Sequence, residues 1–254
     1  MKNYHSDDWI MNKLKKHYDI ALADFQEKRI LGIFCRGSQN YLMDYENSDV
    51  DSVVIVFPSL LDIIYNAKPV STTKITEDNE HIEYKDIRLM FKVFKKRNPV
   101  NIEILYTKYK IINPIYLELW NNFLINKEYI AKGDLLLTAS GLFGMAKRLY
   151  NQCQSNQKAL SHLYRIFLFM RKLYVLNLSY SVCLIGNETA KKLKIESLPT
   201  ATTLKTAKTL LGKIEQCYKI AYKNQEINDS DIIIDKYLFK FMEFYLKGEI
   251  NEWK

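Results

Sequence analysis

The chain has 254 residues, 48% of them hydrophobic, and a formal net charge of +8. That length and apolar content suffice for one large domain or two modest ones and exclude a disordered chain. No apolar run reaches the roughly 18 residues a membrane-spanning helix needs, and the opening residues lack a signal core, so a cytoplasmic protein without membrane contact is expected. Cys35, Cys153, Cys183 and Cys217 are widely spaced and form no C-x-x-C pair, which points to free thiols in a reducing compartment. The basic balance suits a nucleotide or nucleic-acid partner, although a chain this rich in Lys, Ile, Asn and Tyr also fits a low-GC genome.

Residues 7–28 read as an amphipathic helix, with Ile10, Leu14, Tyr18, Ala21 and Phe25 on one face and Ser6 or Asp7 as cap. Residues 30–35 read as a buried strand ending at Gly37, and residues 38–43 as one or two helical turns. Residues 49–57 are rich in Val and Ile and read as a central strand closed by Pro58. A short helix over 60–66, a strand over 80–85 and a helix over 86–96 follow, the last stopped by Asn98-Pro99; residues 101–107 read as another strand. Beyond Pro114 only helical patterns remain, over 115–126, 135–154, 158–178, 203–223 and 231–246. The fold class is therefore α+β: a first part with a small mixed sheet of three or four strands, then a helical bundle, with the boundary placed at 115/116.

The informative segment is 31–58, LGIFCRGSQNYLMDYENSDVDSVVIVFP, in which Gly37-Ser38 precedes Asp49-Val50-Asp51 by ten residues. Two carboxylates two apart on one strand share a face and repel one another unless a cation sits between them. Magnesium takes a few carboxylates and leaves its remaining positions to phosphates and water. Gly37 and Ser38, between a strand and a helical turn, offer backbone N–H groups and a hydroxyl to a phosphate. Lys158, His162 and Arg165 lie at i, i+4 and i+7 on one helix face, either solvated or turned to a phosphate-bearing ligand. Lys147, Arg148 and Lys172 extend the basic character, and Tyr41 is read as a packing residue.

Gly-Ser, a short gap and Asp-x-Asp on a strand resemble the signature of the DNA polymerase beta-type nucleotidyltransferase superfamily. More narrowly, GSQNY followed by NSDVD is similar to predicted nucleotidyltransferases of bacteria and phages, with a Gly-Ser-x-x-Tyr…Ser-Asp-x-Asp pattern, an Asn-Pro followed by a strand Glu, and a later Lys/His/Arg helix. Here those positions are Asn98-Pro99, Glu103, and Lys158, His162 and Arg165. Arg36, where a small or apolar residue is commoner, and Leu42, where glycine is expected, depart from the pattern. The resemblance implies a nucleotidyltransferase catalytic domain over 1–115 and a helical domain over 116–254 that closes a cleft. It implies transfer of a nucleoside monophosphate from an NTP, ATP first among them, to an RNA 3′ end such as that of tRNA or to a protein side chain, with release of pyrophosphate. Asp49, Asp51 and Glu103 would be the catalytic carboxylates and the ligands of two Mg²⁺ or Mn²⁺ ions. Glu83 and Asp86 compete for the third position, and Gly37, Ser38, Arg36, Lys158 and Arg165 would bind the nucleotide. The rival reading is a non-catalytic nucleotide- or RNA-binding protein of the same fold.

Overall fold

In the computed structural model, which describes residues 2–154, 156, 158–195 and 200–252, the first helix begins where its cap dictates. The Ser6 hydroxyl accepts from Trp9 N–H at 3.1 Å, satisfying a donor the first turn cannot, and α1 runs Asp7–Asp24. Five strands follow in one mixed sheet: β1 (Ile30–Arg36), β2 (Asp51–Val56), β3 (Ser71–Ile75), β4 (His81–Asp86) and β5 (Lys110–Ile112), in the order β3-β4-β2-β1-β5. β2 and β4 are parallel; the other pairings are antiparallel.

The sheet has two buried faces because its strands alternate between them. Ile33, Cys35, Val54, Val56, Ile82 and Tyr84 pack on Ile10, Leu14 and Ala21 of α1. Phe34, Val53 and Ile55 point the other way, into a core shared with the helices of the second part. Asp51 belongs to this second face, two residues before Val53. Its β1 neighbour is Arg36, and Glu83 of β4 pairs with Val53. The face thus changes from apolar to charged at the end where β2 begins.

Several expectations are corrected. β3 and β5 were not anticipated, because β3 is exposed along its length with no apolar alternation and β5 has three residues. Residues 101–107 are not a strand. Asn98 accepts from Val100 N–H and Pro99 occupies the first turn, so the Asn-Pro pair starts a helix, α4 (Pro99–Ile102), continued by a 3₁₀ turn, Glu103–Leu105. Residues 38–43 form successive tight turns, with Asn40 N–H to Gly37 O at 3.1 Å and Tyr41 N–H to Ser38 O at 3.2 Å, and no helix. Asp49 lies before β2, outside the ladder that holds Asp51.

Between the strands lie α2 (Leu60–Ile64), begun by the reciprocal Ser59–Asp62 capping pair, and α3 (Ile87–Phe94), capped by Asp86. The second part contains α5 (Leu117–Leu124), α6 (Lys127–Ala131), α7 (Leu135–Gln152) and α8 (Lys158–Met170), the last continued by a π turn, Arg171–Val175. α9 (Tyr180–Leu184), α10 (Glu188–Ile195), α11 (Thr200–Lys223) and α12 (Ser230–Glu252) complete it. One core crosses residue 115: Phe34 meets Trp120 at 4.9 Å between ring centroids, Phe57 stacks on Tyr245 at 4.7 Å, and Phe91 meets Phe241 at 5.8 Å. Arg97, almost fully buried, donates to Phe94 O and Ser230 Oγ and pairs with Asp231, fastening the start of α12 beside α3. All four cysteines are buried free thiols. Among the described residues, no helix is long and apolar enough to cross a membrane.

Candidate active site

A cleft of about 610 Å³ opens between the charged end of the sheet and the helical part. Arg36, Gly37, Ser38, Asp49, Asp51, Glu103, Lys158, His162 and Arg165, separated by as much as half the sequence, all line it. So do Tyr41, Glu83, His81, Thr73 and Lys194. Its carboxylates, Asp49, Asp51, Glu83 and Glu103, lie on the first part together with Arg36, which pairs with Glu83, whereas Lys158, Arg165 and Lys194 come from the helical part. The volume falls within the range of small-molecule and cofactor pockets.

The turn after β1 is held open by Gly37, whose φ of +86° is costly for any residue with a Cβ. Gln39 Nε2 donates to Asp49 O at 2.6 Å, tying this turn to the approach to β2. Asp49 is exposed to the cleft and the Asp51 carboxylate is partly exposed. Burial, and then the negative charge of Asp49, push the Asp51 carboxyl above the usual carboxylate range. His81 offsets this in part, donating its N–H to Asp51 Oδ1 at 3.1 Å with its ring Nδ1 at 3.2 Å. Two hard oxygen donors carrying like charge at the mouth of this cleft fit a magnesium-type cation that completes its shell with other oxygens. Among the described residues, no three His, Cys, Asp or Glu side chains are gathered so as to hold a metal by themselves.

Glu103 lies in the 3₁₀ turn after α4 and forms no preformed three-residue cluster with the two aspartates. It is fully buried: Gly37 N–H and Asn40 Nδ2 each donate to it at 3.4 Å, and Arg36 Nε stands 3.8 Å away. Burial raises its pKa to about 6, against the opposing pull of the Tyr41 hydrogen bond and the Arg36 and Arg165 charges. Arg36 also pairs with Glu83 and donates to Val100 O at 3.2 Å, so it clamps α4 and β4 to the end of β1. Glu83 is further paired with Lys85. By position, though, Glu83 is the carboxylate on the strand beside β2, on the same face as Asp51.

The opposite wall is cationic. Lys158, His162 and Arg165 project from α8, and Arg165 lies over the Tyr41 ring at 3.9 Å. Tyr41 is buried beneath it, in a packing role. Lys194 of α10 was not anticipated from sequence; it reaches across to Met43 O at 3.5 Å and Ser48 Oγ at 3.4 Å, where the Asp49 charge also acts on it. No local pattern marks it, since it is one of three lysines within four residues. Desolvation by the cleft walls, then the charges of Arg165, Lys194 and Lys158, take the His162 pKa down to about 4. His162 is thus a neutral imidazole at physiological pH. Lys172, expected on a basic surface, instead donates to Val182 O and Ile185 O.

Behind the aspartates lies a second group that the sequence did not reveal. Glu80, nearly buried, accepts from Val50 N–H at 3.3 Å and pairs with Lys13 at 3.2 Å. His17 of α1 bridges Glu80 at 3.0 Å and Ser52 Oγ at 3.0 Å. These contacts grip the backbone between Asp49 and Asp51 from the face opposite the cleft.

No protein-family model matches the chain, and no curated protein matches it in sequence.

Proposed function

We propose that the protein is a metal-dependent nucleotidyltransferase that moves a nucleoside monophosphate from an NTP, ATP first among them, to an acceptor. An RNA 3′ end such as that of tRNA and a protein side chain are the acceptor classes. One observation carries the reading: Asp49 and Asp51, beside the Gly37 turn, face Lys158, Arg165 and Lys194 across a single cleft of about 610 Å³. A bare acidic floor would repel a triphosphate and a bare basic wall would not activate one; together they suit a polyphosphate carrying divalent cations.

In this reaction the acceptor oxygen bonds to the α-phosphorus, the bond from that phosphorus to the pyrophosphate oxygen breaks, and the acceptor proton leaves to a cleft carboxylate or water. Asp49 and Asp51 would hold Mg²⁺ or Mn²⁺, two ions in the full site, and the ions would supply charge neutralisation and a more acidic acceptor hydroxyl. Lys158, Arg165 and Lys194 would bind the phosphates, with Arg165 fixed by its seat on Tyr41. Gly37 and Ser38 would let the chain approach them closely. Glu103, which holds Gly37 N–H and Arg36, would set the shape of that turn. Glu83, once released from Arg36 and Lys85, is the carboxylate whose strand position suits a third ligand.

The pairing of Glu83 and Glu103 with Arg36 also favours a second reading, a nucleotide- or RNA-binding protein without transfer. The two separate in one experiment. Purified protein is incubated with each NTP radiolabelled at the α-phosphate, Mg²⁺ or Mn²⁺, and RNA or protein acceptors, beside an Asp49→Asn/Asp51→Asn variant. Label transferred by the wild type and lost in the variant supports transfer. Metal-dependent NTP binding with no transfer to any acceptor supports the second reading.

A further inference from the structure

The positive charge of this chain is not spread evenly. Residues 158–223 contain 12 of the 37 Lys and Arg but 3 of the 29 Asp and Glu; the remaining residues hold 25 and 26 and are nearly neutral. The imbalance owes more to scarce Asp and Glu than to added Lys and Arg along α8, its π turn, α10 and α11, and a low-GC composition that raises lysine throughout does not remove acids from one stretch. These helices are contiguous: α10 and α11 both pack on α8. Three of their cations, Lys158, Arg165 and Lys194, line the cleft.

The excess continues beyond the cleft. Lys191 stands one turn before Lys194 on α10, beside exposed Lys192. Four residues separate the end of α10 from the start of α11, and the exposed Lys205 and Lys208 lie in the second and third turns of α11. Among the described residues, none of Lys191, Lys192, Lys205 and Lys208 has a carboxylate partner, whereas Lys219, further along α11, is neutralised by Glu215 at 2.9 Å. Unpaired lysines that prolong a cleft lined by Lys158, Arg165 and Lys194 suit a ligand whose negative charge repeats along its length and whose end enters the cleft.

We infer that this helical face binds single-stranded nucleic acid through its phosphates and delivers a 3′ hydroxyl to the cleft, which makes a polynucleotide the acceptor. This rests on the transferase reading for its purpose, but the binding is measured independently of transfer. The probe is a fluorescein-labelled 20-nucleotide single-stranded RNA, with a DNA of the same sequence and a polyglutamate peptide beside it. Each is titrated with wild-type protein, without NTP, across a salt series. Four phosphate contacts give a log–log salt slope of about −3 and about fifty-fold weaker binding at 200 mM than at 50 mM salt. A Lys192→Glu/Lys205→Glu/Lys208→Glu variant, altered at exposed positions outside the cleft, is expected to bind at least about tenfold more weakly and to flatten the slope by about 2. Its far-UV circular dichroism and thermal midpoint should be unchanged.

RNA and DNA bound with the same steep slope would support recognition through phosphates, and tighter RNA binding would support it with added 2′-hydroxyl contacts. RNA binding that is absent, insensitive to salt, unaffected by the triple charge reversal or matched by polyglutamate would overturn the inference. Strand binding without nucleotidyl transfer would leave it standing and remove the transferase reading. Transfer to protein alone, with no strand binding, would do the reverse.

Discussion

Replacing Glu80 tests whether the network behind β2 supports the two aspartates. In Glu80→Ala, the Val50 N–H and the inner ring nitrogen of His17 both lose their acceptor, and both residues are buried. An unsatisfied buried polar group costs about 1–3 kcal/mol, so the pair should cost about 3–4 kcal/mol, while Lys13, at the edge of the network, can turn to solvent. Glu80→Gln should cost only about 1 kcal/mol, because the amide oxygen can still accept from Val50 and its NH₂ can donate to His17 in the other tautomer. Burial pushes the Glu80 carboxyl up, but the hydrogen bonds from His17 and Lys13 outweigh it and leave its pKa below the ordinary value near 4.5. A depressed carboxylate stabilises the fold above its unfolded pKa and loses that contribution as pH falls through its folded pKa. The wild type should therefore lose stability below about pH 4.5 more steeply than Glu80→Ala. Urea unfolding followed by circular dichroism at pH 7 and in an acid series measures both effects. Mn²⁺ binding in the presence of NTP, read by electron paramagnetic resonance, reports on the aspartates directly and should weaken in Glu80→Ala, with recovery in Glu80→Gln. A cost below about 1 kcal/mol for the alanine variant, or Mn²⁺ affinity equal to wild type, would show that the Glu80 network does not support the aspartates.

Asp51→Asn should abolish transfer yet leave the metal-free protein as stable as wild type or up to about 1 kcal/mol more so, since it removes the Asp49–Asp51 repulsion and keeps an oxygen for His81 N–H; thermal melts without metal check this. Arg36→Ala leaves the buried Glu103 without its nearest cation and should destabilise by about 3 kcal/mol in urea titration, whereas a surface change such as Lys219→Ala should stay within about 0.5 kcal/mol. The His162 ring should remain neutral down to near its pKa of about 4 in an NMR titration, and Lys194→Met should raise that pKa by removing one nearby cation. Because the folded pKa is lowered, stability should fall as pH drops from the ordinary histidine value toward about 4, and this loss should be smaller in Lys194→Met. Lys194→Met should also raise the KM for NTP, as expected for a side chain that binds phosphate, and steady-state kinetics at varied NTP would show it.

Much of this protein is local. The Ser6 cap, the Val- and Ile-rich β2, the Gly37 turn and the long helices of the second part are written in spacings of a few residues, which side-chain periodicity and capping suffice to read. Gly37, Ser38, Asp49 and Asp51 could be singled out because they lie within one short segment. What a strand needs from its neighbours was not legible. β3 and β5 carry no internal pattern and exist because β4 and β1 offer them backbone partners. The misread stretch shows the same competition from the other side: residues 101–107 have the composition of a strand, but the Asn98 cap and Pro99 begin a helical turn that buries Ile102, Ile104 and Leu105. That outcome turns Glu103 toward Gly37 and Arg36, while the parallel pairing of β4 brings Glu83 to the face of Asp51. Lys194, Glu80 and His17 join the site from positions remote in sequence, because a cleft and the support behind it are made by packing elements together. Neighbours along the chain follow from the order of residues, whereas which charges face one another follows from packing, since electrostatic pairing depends on separation in space and on burial, neither of which spacing along a chain specifies.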